Sequence, residues 1–96
     1  MKEAHLQGAV IDMCRLFGIA WHHEYSSRRS TPGWPDLFLC GSRGFILREL
    51  KTATGRLTTE QQHWGLMLRN AGVQWDVWRP DDLHNGRIQR ELESIR

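Results

Sequence analysis

The chain reads as one small α/β (α+β) domain with the order α-β-β-β-α-β and a short helix at the end. Three features predict this. Apolar residues recur at helical spacing near both ends of the chain, a glycine-bracketed turn separates two strand-like runs in the middle, and an alternating segment follows the second long helix. A helix between two strands after a hairpin calls for a crossover, and so for a mixed central sheet flanked by helices.

From Glu3 to Phe17, Leu6, Ala9, Val10, Met13, Leu16 and Phe17 keep helical spacing, and Gly18 is placed to end the helix. A first strand is expected over Ile19 to Glu24, followed by a polar, basic loop from Ser26 to Gly33. The runs Asp36 to Cys40 and Phe45 to Lys51 flank Gly41-Ser42-Arg43-Gly44, a turn suited to an antiparallel hairpin. A second helix is predicted from about Thr59 to Ala71. Thr58 and Gln61 resemble a capping box, and Trp64, Met67, Leu68 and Ala71 form its expected buried stripe. Gly72 closes that helix and Val73 to Trp78 alternates as a strand. Trp75 and Trp78 would lie on opposite strand faces, with one expected to be exposed as an interface residue. After Pro80, Asn85 is placed to cap a final helix carrying Ile88, Leu92 and Ile95 on one side.

At 96 residues, with 40% hydrophobic and 25% charged residues, the composition is that of a single globular domain spanning 1–96. No apolar run approaches the roughly 20 residues of a membrane span. The opening Met1-Lys2-Glu3-Ala4-His5 has no apolar core of the signal-peptide kind. Cys14 and Cys40 lie in apolar patterns and read as buried free thiols. His22 and His23 are adjacent in a strand, hence on opposite faces, and are poorly placed to share an ion.

The hairpin carries the chemistry. If it is centred between Ser42 and Arg43, residues whose numbers sum to 85 face each other, and Asp36 and Glu49 are such a pair. Their Cβ atoms would then lie roughly 5 Å apart, with Lys51 on the same face. Two carboxylates so close repel unless a proton or a cation separates them. Hard oxygen ligands with room for water suit Mg²⁺ or Mn²⁺, and an ammonium beside them can orient a water or steady developing negative charge. The plainer reading makes Asp36 a turn former and Glu49 and Lys51 the wet side of an edge strand. Against it, neither Leu47-Glu49-Lys51 nor Ile46-Arg48-Leu50 is a cleanly apolar face.

Net charge is only +2, but its distribution is uneven. Between Ser26 and Arg56 stand six basic residues (Arg28, Arg29, Arg43, Arg48, Lys51 and Arg56) and two acids, Asp36 and Glu49. With those acids neutralised by a cation, the face is expected to attract a phosphate backbone.

The pattern Pro35-Asp36 … Glu49-Leu50-Lys51 resembles the PD-(D/E)XK nuclease superfamily, and further segments resemble its VRR-NUC (virus-type replication-repair nuclease) family. Gly33-Trp34-Pro35-Asp36-Leu37 is similar to that family's G-x-P-D-L, and Glu49-Leu50-Lys51 to its E-L/V-K. Gly55 to Gln61 resembles G-x-L-S/T-x-x-Q, Leu68 to Gly72 resembles L-x-x-x-G, and Glu3 with Gln7 fits E-x-x-x-Q of the first helix. The matches run in order from residue 3 to residue 79. One departure is the short segment before Gly33, where many relatives carry a longer loop.

The resemblance implies a PD-(D/E)XK nuclease-like core and a metal-dependent DNA endonuclease. Asp36, Glu49 and the Leu50 backbone carbonyl would hold Mg²⁺ or Mn²⁺, with Glu3 contributing through a water. Lys51 and Gln61 would complete the catalytic group, while Arg28, Arg29, Arg56 and Trp34 would contact DNA. For Trp34, stacking on a base and packing under its own loop are both open. The resemblance further implies branched DNA as substrate, as for Holliday-junction resolvases, a homodimer, and a cytoplasmic setting in a bacterial or phage-infected cell. The alternatives are a non-catalytic DNA-binding or scaffolding protein that keeps the nuclease fold, and a protein-interaction module using its tryptophans.

Overall fold

The computed structural model describes residues 1–24 and 31–96. Eight elements follow in order: α1 (Glu3–Phe17), β1 (Ala20–His23), β2 (Leu37–Gly41), β3 (Gly44–Leu50), α2 (Thr59–Asn70), β4 (Trp75–Trp78), α3 (Pro80–His84) and α4 (Arg87–Ile95). The strands form one sheet in the order β1-β2-β3-β4, antiparallel except for the parallel β3–β4 pair. Among the described residues no helix is long and apolar enough to cross a membrane.

The hairpin has the register expected from the sequence. Leu37 faces Arg48, Phe38 faces Leu47, Leu39 faces Ile46 and Cys40 faces Phe45, all summing to 85. Its turn also closes another element. Arg43 N–H donates to Ile95 O (3.0 Å), Ser42 Oγ to Arg96 O (2.9 Å) and the Arg43 guanidinium to Glu93 O (2.6 Å). Carbonyls that the end of α4 leaves without helical partners are thereby satisfied.

One sheet face holds the main core. Leu6, Val10 and Cys14 of α1 and Ile88, Leu92 and Ile95 of α4 cluster with Leu37, Leu39, Ile46, Leu50 and Trp78. Burial raises the Cys14 thiol pKa to about 11, so this sulfur stays a thiol. Cys40 is half-buried, and both cysteines are free.

Three sequence expectations need correction here. Neither Trp75 nor Trp78 is exposed. They do lie on opposite faces of β4, but helices cover both faces: Trp78 sits in the main core and Trp75 against Gly65 of α2. Secondly, the stripe of Trp64, Met67, Leu68 and Ala71 is not a buried stripe. Gly65 is the buried residue of α2, while Met67 and Ala71 are exposed and Trp64 and Leu68 half-buried. A Cβ at Gly65 would fall 2.5 Å from the Trp75 ring, so glycine lets the helix approach the tryptophan that fills this layer. Thirdly, a one-turn helix, α3, precedes the final helix, whose cap is Gly86 at φ +83° rather than Asn85. The Asn85 side chain still accepts from Arg87 N–H (2.9 Å).

The supposed cationic face is also narrower than the charge count implies. Arg48 is buried, because adjacent residues of a strand point to opposite sides and Glu49 takes the other one. Arg48 stacks over Trp78 (5.1 Å) and pairs with Glu91 of α4 (2.9 Å). Arg43 is engaged with α4, and Arg28 and Arg29 lie outside the described residues. Lys51 remains beside the carboxylates, with Arg56 exposed on the loop that follows.

Candidate active site

The antiparallel pairing continues one step beyond β1 and β2, since Glu24 N–H donates to Asp36 O (3.0 Å). Asp36 therefore enters the sheet at the position opposite Glu49. Its Oδ2 accepts from Leu50 N–H (2.8 Å), which turns the carboxylate toward β3. That bond carries no sequence signal, because it depends on the two strands meeting. What Leu50 is seen to give Asp36 is thus its N–H, whereas the expectation for this residue concerned its carbonyl.

Glu49 is only 2% exposed. Its Oε1 accepts from Gln61 Nε2 (3.1 Å), whereas its Oε2 is buried without a hydrogen-bond partner. Burial pushes its pKa well above the usual carboxylate range, and the adjacent Asp36 carboxyl pushes the same way. The Lys51 ammonium opposes this and Glu3 adds to it, so both of those charges reach the pair. Glu3 itself is exposed in the first turn of α1.

Gln61 does two jobs. Its Oε1 accepts from Thr58 N–H (2.9 Å) while its backbone N–H donates to the Thr58 hydroxyl (3.1 Å), completing the capping box. The same side chain's amide then reaches Glu49. The cap and the site contact are compatible because the first turn of α2 starts within one side chain's reach of Glu49 near the end of β3.

The loop before Asp36 is fixed to that turn. Trp34 packs edge-on against Trp64 of α2, with ring centroids 5.0 Å apart and planes at 87°. Gly33 adopts φ +86°, and a Cβ there would lie 2.8 Å from Gln61 N and closer still to the Glu60 carbonyl. Gly33→Ala is accordingly expected to cost about 2 kcal/mol, from left-handed backbone strain plus a clash with backbone that cannot rotate away. Urea unfolding measures this, and an unchanged midpoint would show that the loop re-seats without cost.

Beyond Lys51, Arg79 clamps the next loop, donating to Thr52 O and Gly55 O at 2.7 Å each. Sequence reasoning missed Arg79, and an arginine after a strand carries no signal of such a role. It also missed the bond between Gln7 of α1 and His23 of β1 (3.3 Å), although Gln7 had been singled out. His22 lies on the other strand face, 3.5 Å from Glu24, so the two histidines do not converge.

Among the described residues, no three His, Cys, Asp or Glu side chains form a ready-made metal cage. Two carboxylates, Asp36 and Glu49, do face each other, and one of them has a buried oxygen that no donor satisfies. Such an oxygen is costly unless a proton or cation meets it. This donor set fits a hard divalent ion.

No known family's sequence profile matches the chain, and no curated protein matches it. Among solved structures it is similar to a VRR_NUC domain protein, with a TM-score of 0.73 and 19% sequence identity, over 98% of this chain and 90% of that one.

Proposed function

The chain has the fold of a VRR_NUC domain protein, and from that premise we propose that it is a metal-dependent DNA endonuclease. The observation that carries the reading is the buried, unpartnered Oε2 of Glu49 facing Asp36 in a carboxylate pair flanked by Lys51. Repulsive carboxylates held together at the ends of two inner strands reduce stability, and a fold tolerates that where the pair serves a ligand.

Asp36, Glu49 and the Leu50 carbonyl would hold Mg²⁺ or Mn²⁺, and Glu3 would approach through water. Such an ion, when bound, polarises a phosphate oxygen and acidifies a water. The protein's own groups do the rest. The Leu50 N–H keeps Asp36 oriented, and Gln61 holds one Glu49 oxygen so that the other stays available. Lys51 places its ammonium where charge grows on the phosphorus-bound oxygens. Arg56, with Arg28 and Arg29, would contact the backbone phosphates. Trp34 is engaged with Trp64, which supports a role in packing the loop over one in stacking on DNA.

Branched DNA of the Holliday-junction kind is the substrate class we assign, with two copies of the chain placing two sites across symmetric cuts. The test is incubation of pure protein with labelled duplex, flap, fork and four-way DNAs, with Mn²⁺ or with chelator. Strand scission confined to the Mn²⁺ samples and strongest on branched DNA is expected. Intact DNA throughout, at protein concentrations that bind it, would overturn the reading.

A further inference from the structure

Next to the carboxylates the sheet carries an aromatic pair that the fold does not use. Phe38 of β2 and Phe45 of β3 stack with centroids 5.5 Å apart and planes at 28°, yet are 38% and 46% exposed. Strand alternation puts Phe38 on the face of Asp36, and Phe45 on that of Leu47 and Glu49. This is the face opposite the main core, and α2 covers it only toward β4, where Gly65 meets Trp75. Over β1 and the hairpin the face is open, with Ala20 and His22 exposed beside Phe38 and Cys40.

We propose that Phe38 and Phe45 form a base-stacking subsite that receives unpaired nucleotides of a DNA substrate as they leave the carboxylate pair. The inference rests on the nuclease reading and adds a substrate requirement, single-stranded nucleotides next to the cut. Two observations favour bases over other occupants. Phe38 is two residues from Asp36, about 7 Å along the strand, so a nucleotide adjoining the scissile phosphate reaches it. Exposed aromatics on an open sheet surface are how several nucleic-acid-binding folds hold unpaired bases, without regard to sequence. The area points the same way. With rings of roughly 200 Å² each, the pair exposes about 170 Å², suited to one or two bases and far below the ~800 Å² per partner of a stable dimer.

The test uses a short duplex with a single-stranded thymidine tail, and the same duplex whose tail keeps its phosphates but lacks bases. Affinities are read by fluorescence anisotropy in chelator, so that nothing is cut. The wild-type protein is expected to bind the base-bearing tail about tenfold tighter than the abasic one. Phe38→Leu with Phe45→Leu preserves apolar bulk for folding but removes the π-faces. It should reduce that ratio to near one and leave the salt dependence of binding unchanged, since phosphate contacts remain. A wild-type protein indifferent to the bases, or a ratio that survives in the leucine pair, overturns the proposal. So does sedimentation showing a wild-type dimer that Phe38→Ala with Phe45→Ala dissociates, because the face would then join two copies. Tight binding and Mn²⁺-dependent cleavage without base preference would sink the subsite alone, whereas failure to bind any DNA would sink the nuclease reading with it.

Discussion

Lys51→Ala is expected to slow metal-dependent strand cleavage about 100-fold, the usual loss on removing one preorganised charge-stabilising donor. Folding and DNA affinity should change little. The backbone of Lys51 is held independently, through its N–H to Trp78 O at 3.0 Å, and the residue is half-buried just past the end of β3 rather than in the core. Its charge is placed to matter because it already acts on Glu49, drawing that carboxyl toward ionisation against burial and Asp36. An ammonium that contributes mainly as charge develops lowers the barrier without tightening the ground state. Single-turnover rates on a branched DNA, alongside anisotropy for binding, separate the two effects. A variant keeping more than about a tenth of the wild-type rate would remove Lys51 from the chemistry.

Glu91→Ala should destabilise the domain by about 3–5 kcal/mol, the range for leaving a buried charge without its partner. Glu91 joins three elements. Its Oε1 accepts from Arg48 Nη2 (2.9 Å) and Trp78 Nε1 (2.8 Å), and its Oε2 from Arg87 Nε (2.6 Å). Arg48 is 4% exposed, and burial alone already lowers its pKa. Without Glu91, the guanidinium keeps its bonds to Leu47 O and Gln74 O but loses its ion-pair partner, retaining only the through-space attraction of Asp76. A small domain with a total stability of about 5–15 kcal/mol would come close to unfolding. Burial pushes the Glu91 carboxyl up, but the hydrogen bonds from Trp78, Arg48 and Arg87 outweigh it and hold the pKa below the usual range. Its contribution is therefore present above the unfolded carboxylate pKa and fades as pH falls through the lower folded value. Urea denaturation at pH 7 and again in acid measures both parts. Equal stability of variant and wild type at pH 7 would show that water solvates Arg48 well enough to replace the pair. Pairing Arg48→Met with Glu91→Leu should recover most of the loss, since neither charge is then stranded.

What the sequence determined by itself is what local periodicity and turn chemistry can encode. The bounds of α1, the hairpin register and the capping box of α2 follow from residues near each other in the chain. The facing of Asp36 and Glu49 follows from that register. The pairing of the two carboxylates was therefore legible before any fold was known. Tertiary structure alone decided how each face is covered. Alternation along β4 separates Trp75 from Trp78, but only the packing of α2 on one side and α1 with α4 on the other buries both. Alternation likewise turns Arg48 away from Glu49, but only the arrival of α4 supplies Glu91 and converts one charge of the expected cationic face into a structural ion pair. The exposed side of α2 and the bare aromatic pair Phe38–Phe45 belong to the same class. The physical reason is that an apolar residue at the right spacing states a capacity for burial, while burial itself needs a partner surface from a distant part of the chain. The orphaned oxygen of Glu49, where the metal reading rests, is such a case: one oxygen is taken by Gln61 twelve residues away, and the other is buried without a donor.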